Sequence, residues 1–375
     1  MPWRTATVTD LREEFVRLAG AESANVSELC RRFQISRKTG YKWLERWRQE
    51  GRAGLDNQST RPGSSPARTP TSIEEQVLQM RAAHPAWGGR KIAHVLQRDH
   101  GIELAPSTAN SILRRHGCIS PTASAAAQPW QRFEHEAPND MWQMDFKGHF
   151  PVSGQRCHPL TVLDDYSRYN LTLEASETES FEFVQATLKR TFEKYGLPRR
   201  INTDNGSPWR APGQEGFTRL GVWFIRLGIA LTHSRPFHPQ TNGKDERFHR
   251  SLKAEVISCR NFADMPHAQR HFDSWRHIYN HVRPHEGIGM QTPSQRYQAS
   301  RLPMPTELPP VEYGPDDLVR RVQSGGWIDV KGRQIRIYES LRGEQIGLRP
   351  RSDRDGSYDL YYCHHHFGRI DLSLP

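Results

Sequence analysis

The chain has 375 residues, of which 35% are hydrophobic and 10% aromatic, and its formal net charge at pH 7 is +10. This length predicts two or three domains, and the aromatic content excludes a wholly disordered protein. No apolar stretch approaches the roughly 18 residues of a membrane span, and the N-terminus lacks the pattern of a secretory signal. Five scattered cysteines without a CxxC pair argue against a disulfide framework and a structural zinc site. We expect a globular, cytoplasmic protein.

Three stretches rich in Pro, Ser, Gly or Ala divide the chain, and we interpret them as linkers over residues 59–71, 120–137 and 299–319. Four predicted domains remain, over residues 1–58, 72–119, 138–298 and 320–375. The positive charge is concentrated at the start, because residues 1–135 carry 20 Lys and Arg against 13 Asp and Glu. A basic N-terminal region indicates a polyanion partner, and an ordinary soluble basic surface is the alternative.

The first domain has the spacing of a helix-turn-helix motif. Apolar periodicity and capping residues predict helices over residues 9–19, 28–33 and 37–48, with Tyr41, Leu44 and Trp47 facing one way. The start of the third helix would enter a DNA major groove, and it carries Arg37, Lys38, Thr39 and Lys42. A plain three-helix bundle with a solvated basic face is the alternative.

The second domain repeats this plan, with helices predicted over residues 72–83, 92–98 and 108–116. We interpret it as a second, winged-helix-like helix-turn-helix domain. Its candidate DNA contacts are cations at the helix starts and ends: Arg90, Lys91, Arg114 and Arg115. Two tethered modules combine modest DNA contacts through a high effective concentration.

The third domain alternates strands and helices. Strands are predicted over residues 142–150, 158–165 and 169–174, then a helix over 178–195 and a strand over 200–203. A helix (217–227), a strand (229–233) and a long helix (243–258) follow. The order β-β-β-α-β predicts an α/β core.

Three acids lie at informative places in this pattern. Asp145 is in the middle of the first strand, Asp204 directly follows the fourth strand, and Glu246 lies in the first turn of the long helix. If the first and fourth strands are neighbours, these positions converge. Carboxylate clusters bind hard divalent cations, and two Mg²⁺ ions promote in-line phosphodiester displacement without a protein nucleophile.

Residues 138–298 resemble the catalytic core of the DDE transposase and retroviral-type integrase superfamily, in its bacterial insertion-sequence branch. The resemblance rests on WQMDFKGHF, VLDDYSRY, TDNGSPW, HPQTNGKDERFHRSLKAE and YNHVRPHEGIGMQTPSQRY. It implies a ribonuclease H-like fold in which Asp145, Asp204 and Glu246 are the catalytic triad and bind two Mg²⁺ or Mn²⁺ ions. It also implies DNA contacts at the rim of the site by Asn205 and His238. The sequence departs from the family in the 41 residues between Asp204 and Glu246, more than is common, and the extra length falls within residues 208–219.

Other acids compete with this triad. Asp245 adjoins Glu246, but consecutive helical side chains point about 100° apart, so we expect only one to face the site. The match to GKxER favours Glu246. Asp164 and Asp165 are expected to hold the turn that follows their strand, and Glu255 to be a solvated or salt-bridged charge.

Two cations, Lys244 and Arg247, flank Glu246. Helix solubility explains them in part, but we favour contacts to the phosphates beside the scissile bond.

The C-terminal domain alternates like short strands, with hairpin turns at Lys331-Gly332 and Asp355-Gly356. We expect a small β-barrel that resembles integrase C-terminal domains, with subunit contact as an alternative to DNA binding. A metal site in the run His364–His366 is disfavoured, because consecutive strand residues point to opposite faces.

The leading interpretation is an insertion-sequence transposase that binds terminal inverted repeats and performs 3′-end hydrolysis and strand transfer. A metal-dependent nuclease of the same fold and a two-module DNA-binding regulator are the alternatives. The expected partners are double-stranded DNA, as element ends and target, and further copies of the chain. We expect no membrane partner and no small-molecule cofactor, and association with the nucleoid.

Overall fold

The computed structural model describes residues 7–59, 68–119, 134–204, 206, 209, 217–233 and 243–373. The chain forms two compact units, Met1–Thr69 and Pro70–Pro375. In these described ranges, no helix is both long and apolar enough to cross a membrane.

The first unit contains three helices, α1 (Val8–Ala19), α2 (Val26–Arg32) and α3 (Arg37–Glu50), and a short 3₁₀ turn, Gly51–Leu55. Side chains cap each helix: Thr7 in a capping box with Asp10, then Asn25, then Ser36. The predicted helix-turn-helix fold is confirmed.

The prediction that Tyr41, Leu44 and Trp47 face one way was wrong for Tyr41, which is 58% exposed whereas Leu44 is buried. The buried residues of α3 are Gly40, Trp43 and Leu44. Gly40 sets this face, because a Cβ atom there would lie 2.6 Å from the Cys30 Sγ and 2.9 Å from the Phe15 ring. The helices therefore approach most closely along Gly40, and Tyr41 turns to solvent.

The second unit begins with α4 (Thr71–Ala83), α5 (Gly89–His100) and α6 (Pro106–Arg115). Their contact is apolar, centred on Val77, Trp87, Ile92, Leu96 and Leu113. Residues 68–119 contain helices and no strand, so they form no wing of the kind expected of a winged helix.

A five-stranded mixed sheet follows, in the spatial order β5-β4-β1-β6-β7. Its strands are β1 (Trp142–Phe146), β4 (Leu160–Asp164), β5 (Asn170–Glu174), β6 (Arg200–Thr203) and β7 (Ala230–His233). The strands β2 (Phe150–Val152) and β3 (Gln155–Cys157) form a separate hairpin between β1 and β4 in the chain. Strand β1 pairs antiparallel with β4 and parallel with β6. The first and fourth predicted strands are therefore neighbours, and the predicted α/β core is confirmed.

Helices cover both faces of this sheet. Helices α7 (Phe181–Tyr195) and α8 (Arg219–Arg226) pack on one face, where their Phe192 and Phe224 meet Trp142 and Met144 of β1. Helices α9 (Gly243–Glu255) and α10 (Met265–His277) pack on the other. The chain then runs through a π-helical turn, Ile278–Val282, a 3₁₀ turn, Glu286–Ile288, and α11 (Pro293–Arg296).

The C-terminal strands are β8 (Leu318–Arg321), β9 (Trp327–Val330), β10 (Arg333–Arg336), β11 (Gln345–Pro350), β12 (Ser357–Tyr362) and β13 (His365–Asp371). They form a four-stranded sheet, β13-β12-β11-β8, and a two-stranded sheet, β10-β9. Across residues 318–371 the strand pairings do not close a ring, so the predicted barrel is corrected to two small sheets.

Helix α8 joins this β domain to the core. Its Val222 lies in the apolar cluster of the β domain, and the Arg226 Nη1 is 2.9 Å from the Glu344 Oε2. Helix α8 thus packs against both the α/β core and the β domain.

Candidate active site

Asp145 is directed to the α9 side of the sheet by strand alternation. Trp142, Met144 and Phe146 belong to the apolar cluster on the α7–α8 side, and successive strand side chains point to opposite faces. On the α9 side, the His249 Nδ1 lies 4.0 Å from the Asp145 Oδ2. Asp145 is therefore a largely buried carboxylate facing α9.

Asp204 directly follows β6 and lies level with Asp145 on the neighbouring strand. The parallel register pairs Trp142 with Ile201 and Gln143 with Asn202, and continuing it by two residues brings Asp204 beside Asp145. The Gly206 N–H donates to the Asp204 Oδ1 at 2.9 Å, and this bond holds the carboxylate at the strand end.

Glu246 lies in the first turn of α9 and is exposed. Its charge reaches Asp145: the pKa of Asp145 rises to about 7, through burial first, then the Asp204 carboxylate, then Glu179 and Glu246. The charges of Asp204 and Glu246 thus both act on Asp145.

This donor set fits a hard divalent cation, because it consists of carboxylate oxygens. As they stand, no three His, Cys, Asp or Glu side chains in the described ranges are arranged closely enough to hold an ion. The fit of these residues to a divalent cation therefore rests on their donor chemistry.

His249 and Thr161 lie against Asp145, and the sequence analysis predicted neither. The Thr161 hydroxyl donates to the Asp145 carbonyl oxygen at 3.0 Å, and the His249 Nε2 lies 2.8 Å from the Thr161 Oγ1. Burial lowers the pKa of His249 to about 3, so this ring is neutral at physiological pH.

Without a divalent cation, we expect Asp145 to make folding stability depend on pH. The folded chain holds the Asp145 proton up to about pH 7, whereas the unfolded chain releases it near about pH 4. Stability should therefore fall as pH rises from about 4 to about 7, by as much as about 4 kcal/mol, and then level off. Melting temperatures in EDTA, compared between wild type and Asp145→Asn, measure this effect. Parallel pH profiles for the two proteins would contradict it.

Asp245 is the buried neighbour of Glu246. It is 1% exposed, and neither of its carboxylate oxygens has a hydrogen-bond partner. Burial raises its pKa well above the ordinary range, and the charges of Asp145, Asp165 and Glu246 add to the effect. Asp245 is buried and Glu246 exposed, so the two adjacent acids lie on different sides of α9, and which of them faces the site stays a prediction.

Lys244 is turned towards Asp165. Its Nζ lies 2.5 Å from the Asp165 Oδ1, and Asp165 also accepts hydrogen bonds from the Gln143 side chain at 2.8 Å and the His135 N–H at 3.0 Å. Burial and the Arg168 charge lower the pKa of Lys244 to about 8. A phosphate contact by Lys244 stays a prediction, and it would compete with this ion pair.

A basic stripe continues along α9 from Glu246. Arg247, Arg250 and Lys253 are exposed at helical spacing on the same side of the helix. Arg247 was predicted to contact DNA; Arg250 was missed, although its spacing of three residues from Arg247 was readable in the sequence.

The predicted DNA contacts of the first unit lie on the exposed side of α3. Arg37, Lys38 and Lys42 are exposed, and Tyr41 lies among them. Thr39 has a capping role, since its N–H donates to the Ser36 Oγ at 3.1 Å. This face combines exposed cations with one exposed aromatic ring, Tyr41.

The candidate cations of the second domain are mostly engaged within the chain. Arg90 and Lys91 pair with Glu286 at 3.2 and 3.1 Å, and Arg115 pairs with Glu74 at 2.6 Å. Arg114 is exposed. DNA contacts by Arg90 and Lys91 remain predictions that require them to leave Glu286. The other two predicted contacts, Asn205 and His238, lie outside the described residues.

Known protein families match the helical, core and C-terminal parts of the chain. Two integrase core domain families match residues 135–239 and 227–293. A helix-turn-helix domain matches residues 11–63, and a homeodomain-like domain matches residues 39–113. The C-terminal domain of the IS481 transposase family matches residues 317–374.

Two bacterial relatives come from insertion elements. The chain is 23% identical over 250 residues to the uncharacterized 39.2 kDa protein of insertion element IS476 from Xanthomonas euvesicatoria, covering 65% of this chain and 69% of that protein. It is 27% identical over 159 residues to the uncharacterized 31.7 kDa protein of insertion element IS407 from Burkholderia multivorans, covering 42% of this chain and 55% of that protein.

Among solved structures, the simian T-cell lymphotropic virus intasome in complex with the PP2A regulatory subunit B56 gamma is 18% identical, with a TM-score of 0.39. The alignment covers 80% of this chain and 96% of the matched chain.

The fold and the family matches define a protein with an integrase core joined to helix-turn-helix DNA-binding domains. The C-terminal domain is similar to that of IS481 family transposases, and the two bacterial relatives come from insertion elements.

Proposed function

We propose that this chain is an insertion-sequence transposase that binds the terminal inverted repeats of its element, hydrolyses the 3′ ends and joins them to target DNA. The observation that carries the proposal is the half-buried Asp145 carboxylate, whose pKa rises to about 7 through burial first and then through the charges of Asp204, Glu179 and Glu246. Acids arranged in this way are costly to fold without a bound cation. Their arrangement therefore supports a metal-dependent reaction.

In this mechanism Asp145, Asp204 and Glu246 would hold two Mg²⁺ or Mn²⁺ ions, which would supply activation of an attacking oxygen and charge stabilisation of the leaving 3′ oxygen. Asp145 must give up its proton before it binds an ion, and neutral His249 adds no competing positive charge beside it. The exposed cations of α9 neutralise backbone phosphates next to the reacting bond.

DNA recognition is assigned to the helical domains, here proposed as residues 1–58 and 72–119, on either side of the 59–71 linker. The core (138–298) and the β domain (320–375) complete the chain. Each chain offers one set of three acids, whereas an element has two ends, so we propose at least a dimer on DNA. Light scattering on the DNA complex checks this stoichiometry.

The function is tested with the full chain and a duplex that ends in the terminal repeat of its element. We expect Mg²⁺-dependent hydrolysis at the 3′ end, followed by joining to a second duplex, and neither reaction in EDTA. A scrambled end is the control. Cleavage without joining would favour the nuclease alternative, and specific binding without either reaction would favour the regulator.

Removing cations from α3 should weaken DNA binding and reduce its salt dependence. We expect Lys38→Ala and Lys42→Ala each to lower the slope of log K against log salt by about 1, because each cation releases counterions on binding. Fluorescence anisotropy between low and moderate salt measures the slopes. The matched control is Arg52→Ala, an exposed cation of the same unit that pairs with Glu13 at 3.2 Å. An unchanged slope in both α3 variants would exclude this face as the phosphate contact.

A further inference from the structure

Thr161 and His249 form a chain of hydrogen bonds that ends at the backbone of Asp145. Thr161 is the direct partner of Asp145 in the antiparallel register of β1 and β4, and directly opposed residues of two strands place their side chains on the same face. Thr161 is fully buried there. Its hydroxyl lies 3.0 Å from the Asp145 carbonyl oxygen and 2.8 Å from the His249 Nε2. This hydrogen-bond chain therefore connects β1, β4 and α9.

The proton positions in the hydrogen-bond chain follow from the donors available. The Thr161 hydroxyl has one proton, which it donates to the Asp145 carbonyl oxygen. The His249 Nε2 must then carry a proton and donate it to the Thr161 Oγ1. In the neutral ring the Nδ1 is unprotonated, and it lies 4.0 Å from the Asp145 Oδ2. His249 thus holds the backbone of Asp145 and gives no hydrogen bond to its carboxylate.

The same bond fixes the position of α9. Glu246 precedes His249 by three residues, and residues at this spacing are neighbours on the surface of a helix. The bond from His249 to Thr161 therefore attaches α9 to β4 one turn after Glu246. A shift of α9 along its axis, or a rotation about it, would break this bond. The bond consequently fixes the first turn of α9 relative to β1 and β4.

We propose that His249 is a positioning residue of the reaction, which acts through the Thr161 hydroxyl to hold the Asp145 backbone and the first turn of α9 in a fixed relation. This inference rests on the proposed function, because it concerns the chemistry performed at Asp145. A histidine that only filled space would contribute packing. Packing requires neither a donor at Nε2 nor a hydroxyl at residue 161.

The test measures the single-turnover rate of 3′-end cleavage at saturating DNA, the DNA affinity and the melting temperature, all on the full chain. Thr161→Val keeps the shape of the side chain and removes the hydroxyl, and His249→Leu removes the donor. Each should slow cleavage by about tenfold to a hundredfold, as expected when a group that orients an active-site residue is lost. DNA affinity should be unchanged. Thr161→Ser and His249→Gln keep the polar groups and should retain most of the rate.

Thr172→Val is the matched control. Thr172 is a buried threonine of β5, and its hydroxyl lies 2.7 Å from the Thr191 Oγ1 of α7, on the other face of the sheet. Thr172→Val should lower the melting temperature about as much as Thr161→Val, because each variant loses one buried hydroxyl bond. Its cleavage rate should equal that of the wild type.

Two further measurements separate the hydrogen-bond chain from independent packing effects. The losses of rate in Thr161→Val and His249→Leu should not add in the double variant, because both changes break the same chain. Nitrogen-15 NMR of the ring of His249, identified by its absence from the His249→Gln spectrum, should place the proton on Nε2 in the wild type and in Thr161→Ser. This spectrum requires neither DNA nor a cation.

Wild-type cleavage by Thr161→Val, additive losses in the double variant, or a His249 proton on Nδ1 would each overturn the inference and leave the proposed function standing. Absence of cleavage by the wild type would remove the proposed function, and the inference with it. If His249→Leu does not fold, the comparison of Thr161→Val with Thr161→Ser decides the matter. Failure of Thr161→Val to fold as well would assign these residues to the fold alone and overturn the inference.

Discussion

Replacing Asp145 with Asn is expected to lower the rate of 3′-end cleavage by at least about a thousandfold, because several kcal/mol of charge stabilisation in the transition state depend on the bound cations. Asp145 lies beside the strand-end Asp204 by the register of β1 and β6, and its pKa is raised by burial and then by the charges of Asp204 and Glu246. The Asn side chain has nearly the same shape, so the packing of β1 should be preserved. Single-turnover cleavage of an end-containing duplex measures the rate, and anisotropy checks that DNA affinity is retained.

The same loss is expected for Asp204→Asn and for Glu246→Gln. Glu179→Gln is the matched control, because this acid also acts on Asp145 but is held by the His158 Nδ1 at 2.7 Å. We expect the control to keep most of its activity. Near-normal cleavage by any triad variant would remove that residue from the site.

The placement of Asp145 and Asp204 was predictable because it depends on local patterns. A strand of period two fixes the face on which Asp145 lies, and Asp204 follows β6 directly. The parallel pairing of β1 with β6 then brings the two together. From the sequence alone, the pairing of these two strands could only be assumed, because the order of strands depends on the whole sheet.

The residues that the sequence did not predict depend on distant partners. Glu286 engages Lys91 across almost two hundred positions of chain, so no local pattern reveals that this cation is occupied. Asp245 is similar: helical periodicity separates it from Glu246, but its burial depends on how α9 packs against the sheet. In α3, either Tyr41 or Trp43 could pack against the other two helices. The close approach of Gly40 to Cys30 places Trp43 inside and Tyr41 in solvent.

Local sequence patterns also could not show whether the C-terminal strands close into a barrel. The hairpin turn at Lys331 and Gly332 was readable, and both residues adopt positive φ there, at 53° and 78°. Whether the strands close into a ring depends on pairing between strands far apart in sequence. In this chain β9 and β10 form a separate sheet.

Glu255 was expected to be a solvated or salt-bridged charge, and it proves to be a buried ion pair. Its Oε1 lies 2.5 Å from the Arg283 Nη1, and both side chains are buried. The Trp275 Nε1–H donates to the other Glu255 oxygen at 2.6 Å, and Arg283 also donates to the Ser251 Oγ at 3.0 Å. This cluster ties the end of α9, the helix that carries Glu246, to α10 and to the segment beyond it.

Breaking this pair should therefore destabilise the core and disturb the site. We expect Glu255→Gln to lower the free energy of unfolding by about 3 kcal/mol or more, because it leaves the Arg283 charge buried and uncompensated. Calorimetry of the core transition measures this loss. The matched control is Glu182→Gln in the exposed pair with Arg219, whose atoms are 2.8 Å apart, and it should leave the transition unchanged because solvent screens such pairs. Because α9 positions Glu246, Glu255→Gln should also slow cleavage at temperatures where the core is still folded. Equal stability of the two variants would show that the buried pair does not hold α9 in place.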